Sequence, residues 1–206
     1  MQNYIEHSDY LAHNHYIDWQ HPKVLAKAQE LAAELQDKER IAKKCFEFVR
    51  DEIKHSWDYQ MNPVTCKASE VLEHGTGYCY AKSHLLAALL RANSIPTGLC
   101  YQRVTIDDKP PFCLHGLNAI YLEPYGWYRL DARGNKDGVQ AEFCPPVEKL
   151  AFPIITKGEA DLPEIWPEPL TLATDALERG SDYLEVANNL PDIELVSHCT
   201  THGNTP

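Results

Sequence analysis

Between positions 24 and 53 the apolar residues fall into two sets with helical spacing. Val24, Leu25, Ala28, Leu31, Ala32 and Leu35 recur at threes and fours. Ile41, Cys45, Phe48, Val49 and Ile53 do the same after a polar break at 36–38. Two amphipathic helices are predicted. A short helix is expected over 67–73 with Ser69 as its cap, before Gly75 and Gly77 impose a turn. Over 79–93 the stripe Ala81, Leu85, Ala88, Leu89 and Ala92 is widened by Leu86 and Leu90 beyond one face, so this helix should be the central, most buried one.

After Pro96 the pattern becomes extended. Segments 99–106, 114–122 and 127–130 are rich in Tyr, Val, Ile and Leu and are separated by turn signals at 107–111 and 123–126, which predicts antiparallel strands. Helices first and sheet second define an α+β arrangement. Beyond Cys144, six prolines between Pro145 and Pro169 break any period. That stretch is expected to wrap the core and pack on the sheet in preference to covering a cleft, with a last helix near 170–179 and a frayed end at 200–206. The opening through Pro22 carries His7, His13, His15 and His21 without helical or strand period and reads as a surface arm, not a metal tract. A chain of 206 residues with this order is expected to form one domain, its core near 23–144 and its wrapping segment over 145–206.

Composition narrows the function. Hydrophobic residues make up 44% and charged residues 24%, ordinary globular usage with a real core to bury. Lys and Arg total 19 against 30 Asp and Glu, a formal charge of -11. Such a surface repels phosphate backbones and anionic bilayers, so neither nucleic acid nor membrane is an expected partner. No apolar run is long enough to span a bilayer and the polar start lacks a signal-peptide pattern. Seven cysteines without a CxxC pair fit free thiols in a reducing cytoplasm.

One of those thiols stands apart. Gly75-Thr76-Gly77-Tyr78-Cys79 places a cysteine directly after a glycine turn and in the first turn of the central helix, where backbone N–H groups and the helix dipole favour thiolate. His115 lies in the second predicted strand and Asp131 at the end of the third. With Glu123, Pro124 and Tyr125 as the hairpin loop, Leu122 pairs with Gly126. Asp131 then falls opposite Leu117, on the same face as His115 and one step from it. A thiol, an imidazole and a carboxylate are what acyl transfer requires: a nucleophile, a base that later serves as acid, and an orienting group. The Cys79 backbone N–H would serve as an oxyanion donor.

These residues resemble the transglutaminase-like superfamily of papain-like cysteine enzymes, including its bacterial-type cysteine proteases, whose core reads as G-x-C before a helix, then H-x-W in a strand, then W-x-x-x-D. The matching residues are Gly77, Tyr78 and Cys79 with Leu85, Leu86, Leu89 and Leu90 behind them, then His115, then Trp127 and Asp131. Leu117 stands where the family often has Trp. The resemblance spans about 40–138 and implies a papain-like, transglutaminase-core fold with Cys79 as nucleophile, His115 as base and Asp131 as orienter. It also implies a second oxyanion donor upstream of the cysteine, for which Trp57 is preferred over Tyr59 and Gln60. No cofactor or metal is implied.

The expected reaction is hydrolysis of a peptide or amide bond through a thioester, ahead of transfer of the acyl group to an amine. A calcium-regulated crosslinker is disfavoured because no D-x-D-x-D-G loop is present. Two rivals of other classes are a metal site using Cys113 and His115 with Cys144, His74 or His84, and a non-catalytic binding module. Zinc sites usually bring two tight ligand pairs, and the retention of all three chemical roles argues against loss of catalysis.

Overall fold

The protein is described from a computed structural model over residues 7–193. After a single 3-10 turn at Ser8–Leu11, the helices α1 (Pro22–Ala32) and α2 (Lys38–Asp51) form where the apolar spacing predicts them. Asp37 caps α2 by accepting from the Glu39 N–H at 3.0 Å, the arrangement that satisfies an orphan first-turn donor. Two short pieces follow that have no period of their own: strand β1 (Lys54–His55) and the one-turn helix α3 (Ser56–Tyr59). Helix α4 (Ala68–His74) begins at Ala68, so Ser69 lies inside its first turn and is not the cap. The capping is done by the Glu70 carboxylate, which reaches back to the N–H groups of Cys66 and Lys67 at 3.0 and 3.1 Å. The Ser69 N–H donates instead to Asp18.

Gly75 closes α4 at φ 65, a left-handed conformation that costs glycine nothing. The chain then enters strand β2 (Thr76–Gly77), which pairs in parallel with β1 so that His55 lies opposite Gly77. Helix α5 (Cys79–Ala92) starts two residues later, and every residue from Cys79 to Arg91 is buried. Leu85, Leu86, Leu89 and Leu90 are fully enclosed, each contributing about 1.5–3 kcal/mol from burial.

Strands β3 (Thr97–Thr105), β4 (Phe112–Leu122) and β5 (Gly126–Leu130) form an antiparallel sheet that packs on α5. Leu122 pairs with Gly126 and Asn118 with Leu130, the register expected from a three-residue loop.

The proline-rich return packs on this sheet, but it also lines the cleft of Cys79 through Phe152, so the expected preference for packing over covering a cleft is corrected to both. After the hairpin β6 (Glu142–Cys144) and β7 (Val147–Lys149), strand β8 (Ala160–Asp161) adds itself to the free edge of β3, and Trp166 exchanges both backbone hydrogen bonds with Leu99. Helices α6 (Thr171–Arg179) and α7 (Tyr183–Asn188) complete the described chain. From His7 onward, where the described residues begin, the N-terminal stretch also packs against the body instead of forming a surface arm. Ile17 is fully buried, the Tyr16 carbonyl accepts from the Ala68 N–H, and His7 and Tyr10 pack edge-on against Trp127. The expected fraying at 200–206 lies outside the described residues. Among the described residues no helix is long and apolar enough to cross a membrane.

Buried Arg91 ties these layers together. Its guanidinium donates to the carbonyls of Ala12, Thr97 and Pro167 at 2.6–3.0 Å. Arg91→Ala would leave all three acceptors unpaired, and we expect it to lower the unfolding free energy by about 3 kcal/mol, measured as a drop in urea midpoint.

Candidate active site

Three elements converge at the start of α5. Cys79 is its first residue, preceded by Tyr78, whose side chain forms no cap, so no side chain competes for the N–H groups of that turn. Its sulfur meets the Gly116 N–H of β4 at 3.5 Å and lies close enough to the His115 ring to favour the charged imidazole. The other side of that ring is held by the carboxylate at the end of β5: His115 Nε2 lies 2.7 Å from Asp131 Oδ2. Nε2 is thus committed to Asp131, which leaves Nδ1 to face the thiol. The three side chains predicted from the sequence are therefore contiguous and in the predicted order.

Asp131 is fully buried. Its Oδ1 accepts from the Arg133 N–H at 3.1 Å, and its Oδ2 accepts from the Ala151 N–H at 3.1 Å as well as from His115. Burial opposes the charged carboxylate, but the His115 imidazole and the two backbone donors outweigh it and hold the carboxyl below its ordinary range. Burial likewise opposes a charged His115, yet Asp131 and Cys79 together raise the imidazole to about 10. Phe152 packs edge-on against the His115 ring, centroids 4.8 Å apart, screening the pair from solvent.

These shifts carry a sign for stability. The lowered carboxyl contributes above the unfolded value of about 3.9, and that contribution is lost as pH falls through its lower folded value. The raised imidazole contributes fully below about 6.5, and its contribution fades as pH rises toward about 10. Both describe one contact, so the stability deficit of Asp131→Asn should be largest between about pH 4 and 6.5 and shrink above it. Urea unfolding of both proteins at pH 5, 7.5 and 9.5 measures this.

The site opens into a cleft of about 520 Å³. Val104, Ile106, Cys113, Leu114 and Phe152 line it together with His55, Trp57, Arg133 and Lys136. Of the upstream candidates, Trp57 lines this cleft, whereas Tyr59 and Gln60 line only the adjoining cavity. The residues named as a rival metal set are dispersed: His84 bonds the Cys66 carbonyl inside the core, and Cys144 bonds Val147. Among the described residues no three His, Cys, Asp or Glu side chains are grouped to hold a metal ion.

Sequence reasoning missed His55 and Asp58. Asp58 accepts two bonds from Arg133 and one from Lys136. Although burial opposes its charge, these partners hold it at about 2. Burial, then the Arg133 guanidinium, keeps His55 well below 6.5 and hence neutral. No local signal announces this cluster, because Asp58 and Arg133 are 75 positions apart.

Gly116 lies where β4 passes the start of α5. A Cβ there would fall 2.8 Å from the Tyr80 ring and 3.3 Å from the Tyr80 backbone. Gly116→Ala should therefore push strand and helix apart, lengthen the thiol–imidazole contact and slow turnover by about 10², compared with wild type at matched folded fraction by circular dichroism.

The arrangement defines an α+β protein with a thiol, an imidazole and a carboxylate in line at a helix start. The family model of the transglutaminase-like superfamily matches residues 26–132, more than half of the 206 residues. The chain belongs to that superfamily. Among solved structures it is similar to a candidate cysteine protease from Cytophaga hutchinsonii, with 19% identity and a TM-score of 0.51 over 62% of this chain and 42% of that one. It is also similar to the periplasmic domain of TgpA from Pseudomonas aeruginosa, with 17% identity and a TM-score of 0.46 over 60% of this chain and 45% of that one. The chain thus spans less than half the length of either. Among curated proteins nothing matches it. Family and fold are those of cysteine-dependent enzymes.

Proposed function

We propose that the protein is a cysteine hydrolase that cleaves a peptide or amide bond through a thioester. The observation that carries this reading is the Cys79–His115–Asp131 line, in which one imidazole contacts both the thiol and a buried carboxylate. Asp131 holds the ring and favours the imidazolium. With the proton on His115, the Cys79 sulfur attacks the carbonyl carbon. The carbonyl oxygen becomes an oxyanion, for which the Cys79 N–H at the helix start is the proposed donor and Trp57 the second. His115 then gives its proton to the departing amine, leaving a thioester on Cys79. Water attacks the thioester, His115 takes the water's proton, and the acid product leaves as the thiol re-forms.

Digestion of a peptide library in H₂¹⁸O tests this reading. One ¹⁸O at each new C-terminus, absent with Cys79→Ala, is the expected result. Products joined to an added amine, without ¹⁸O, would overturn hydrolysis in favour of acyl transfer. A thiol-reactivity profile gives a second check. Burial pushes the thiols of Cys45, Cys66, Cys100 and Cys113 up to about 12, so iodoacetamide at pH 7 should reach Cys79 before those four, and His115→Ala should slow it.

A further inference from the structure

Beyond Trp57 the catalytic cleft continues into a second chamber of about 640 Å³. The two share His55, Trp57 and Lys136, so a molecule bound across Cys79 reaches the chamber without leaving the protein surface. Both volumes fall in the range of ligand sites.

The chamber's charges already have partners. Arg50 makes two hydrogen bonds to the Asp51 carboxylate, Lys136 is held by Asp58, and Lys54 donates to the Asp51 carbonyl while lying over the Tyr59 ring. Beside these paired charges the chamber also exposes apolar side chains. Trp57, Tyr59 and Leu184 are 44%, 56% and 47% exposed, and all three line this chamber. They are three of the nine large hydrophobic side chains exposed among the described residues, and they gather in a chamber that shares a wall with the cleft of Cys79. On the wall between the two cavities, His55 is 5% exposed and its Nδ1 has no hydrogen-bond partner, the Asp58 carboxylate being 3.6 Å away.

We infer that this chamber is a subsite for a large aromatic or branched apolar side chain of a polypeptide substrate, to one side of the bond that Cys79 attacks. The inference rests on the acyl-transfer reading above and narrows it. A small amide would fill only the cleft, whereas a chain with an apolar residue displaced from the reacting carbonyl fills both cavities.

The test uses peptidyl chloroacetamides, on which the Cys79 sulfur displaces chloride to form one C–S bond, so that binding is read without turnover. Phe, Leu, Gly, Asp or Lys is placed one, two or three residues from the electrophile, and the rate of Cys79 labelling is followed by intact mass and peptide mapping. At one position Phe or Leu should outpace Gly and Asp by at least about tenfold. Leu184→Asp and Tyr59→Ser, both at exposed positions, should each collapse that ratio toward unity. A flat profile, a preference for charged side chains, or a preference that survives both substitutions overturns the subsite. Labelling with the expected preference but no cleavage of the matching peptide would sink hydrolysis and leave the subsite standing. A Cys79 inert even to iodoacetamide brings down the nucleophile and the subsite with it.

Discussion

Cys79→Ala is expected to abolish peptide turnover, by roughly 10⁵ or more in kcat, while the protein remains folded. The fold should survive because alanine is the best helix former and the lost sulfur sits at the edge of the cleft, 7% exposed. The activity should not survive because no other described thiol stands beside His115 in the role of nucleophile. Cys113 lines the same cleft, but burial together with nearby Cys79 holds its thiol up at about 12. Turnover assays beside thermal melts decide the matter, and a folded variant with wild-type activity would falsify the assignment of Cys79.

Asp131→Asn should lower kcat by about 10⁴, and the hydrogen bonds explain why the closest isostere fails. In the native site both carboxylate oxygens act only as acceptors, receiving the Arg133 N–H, the Ala151 N–H and His115 Nε2. An amide can offer one oxygen. If that oxygen faces His115 and Ala151, the NH₂ points at the Arg133 N–H, donor against donor. If the amide is reversed, the imidazole loses its acceptor and its tautomer is no longer set. Either way the protein loses about 1–3 kcal/mol of stability and the ring its positive bias. The drop should appear in kcat more than in KM, because Asp131 is too deeply buried to touch substrate. Steady-state kinetics on a cleaved peptide give that split, and an unchanged kcat would remove Asp131 from the relay.

Much of this site could be read from the chain before any coordinates. The α5 stripe places Cys79 at a helix start, and the loop Glu123-Pro124-Tyr125 sets the register that brings Asp131 to His115. Both depend on periodicity or on counting, which sequence preserves. The rest depends on contacts that leave no period. β1, β2 and β8 are two residues each, too short for any alternation, and they exist because neighbouring backbones needed partners. Ser69 was the plausible cap by residue type, but Glu70 satisfies two donors with one carboxylate and takes the role. The polar, histidine-bearing opening looked like a solvent arm, yet Ile17 anchors it in the core. Asp58 and Arg133 meet only because the chain folds.

The return of the chain after β7 has a consequence for biosynthesis. Ala151 supplies one of the donors to Asp131, Phe152 covers His115, and the Pro191 carbonyl ties down the Leu114 N–H beside it. A nascent polypeptide that has emerged only as far as β5 carries Cys79, His115 and Asp131, but the carboxylate lacks its Ala151 donor and the imidazole stands open to water. The proposed proton relay is therefore completed only after Ala151, Phe152 and Pro191 have followed Asp131 and folded back over it.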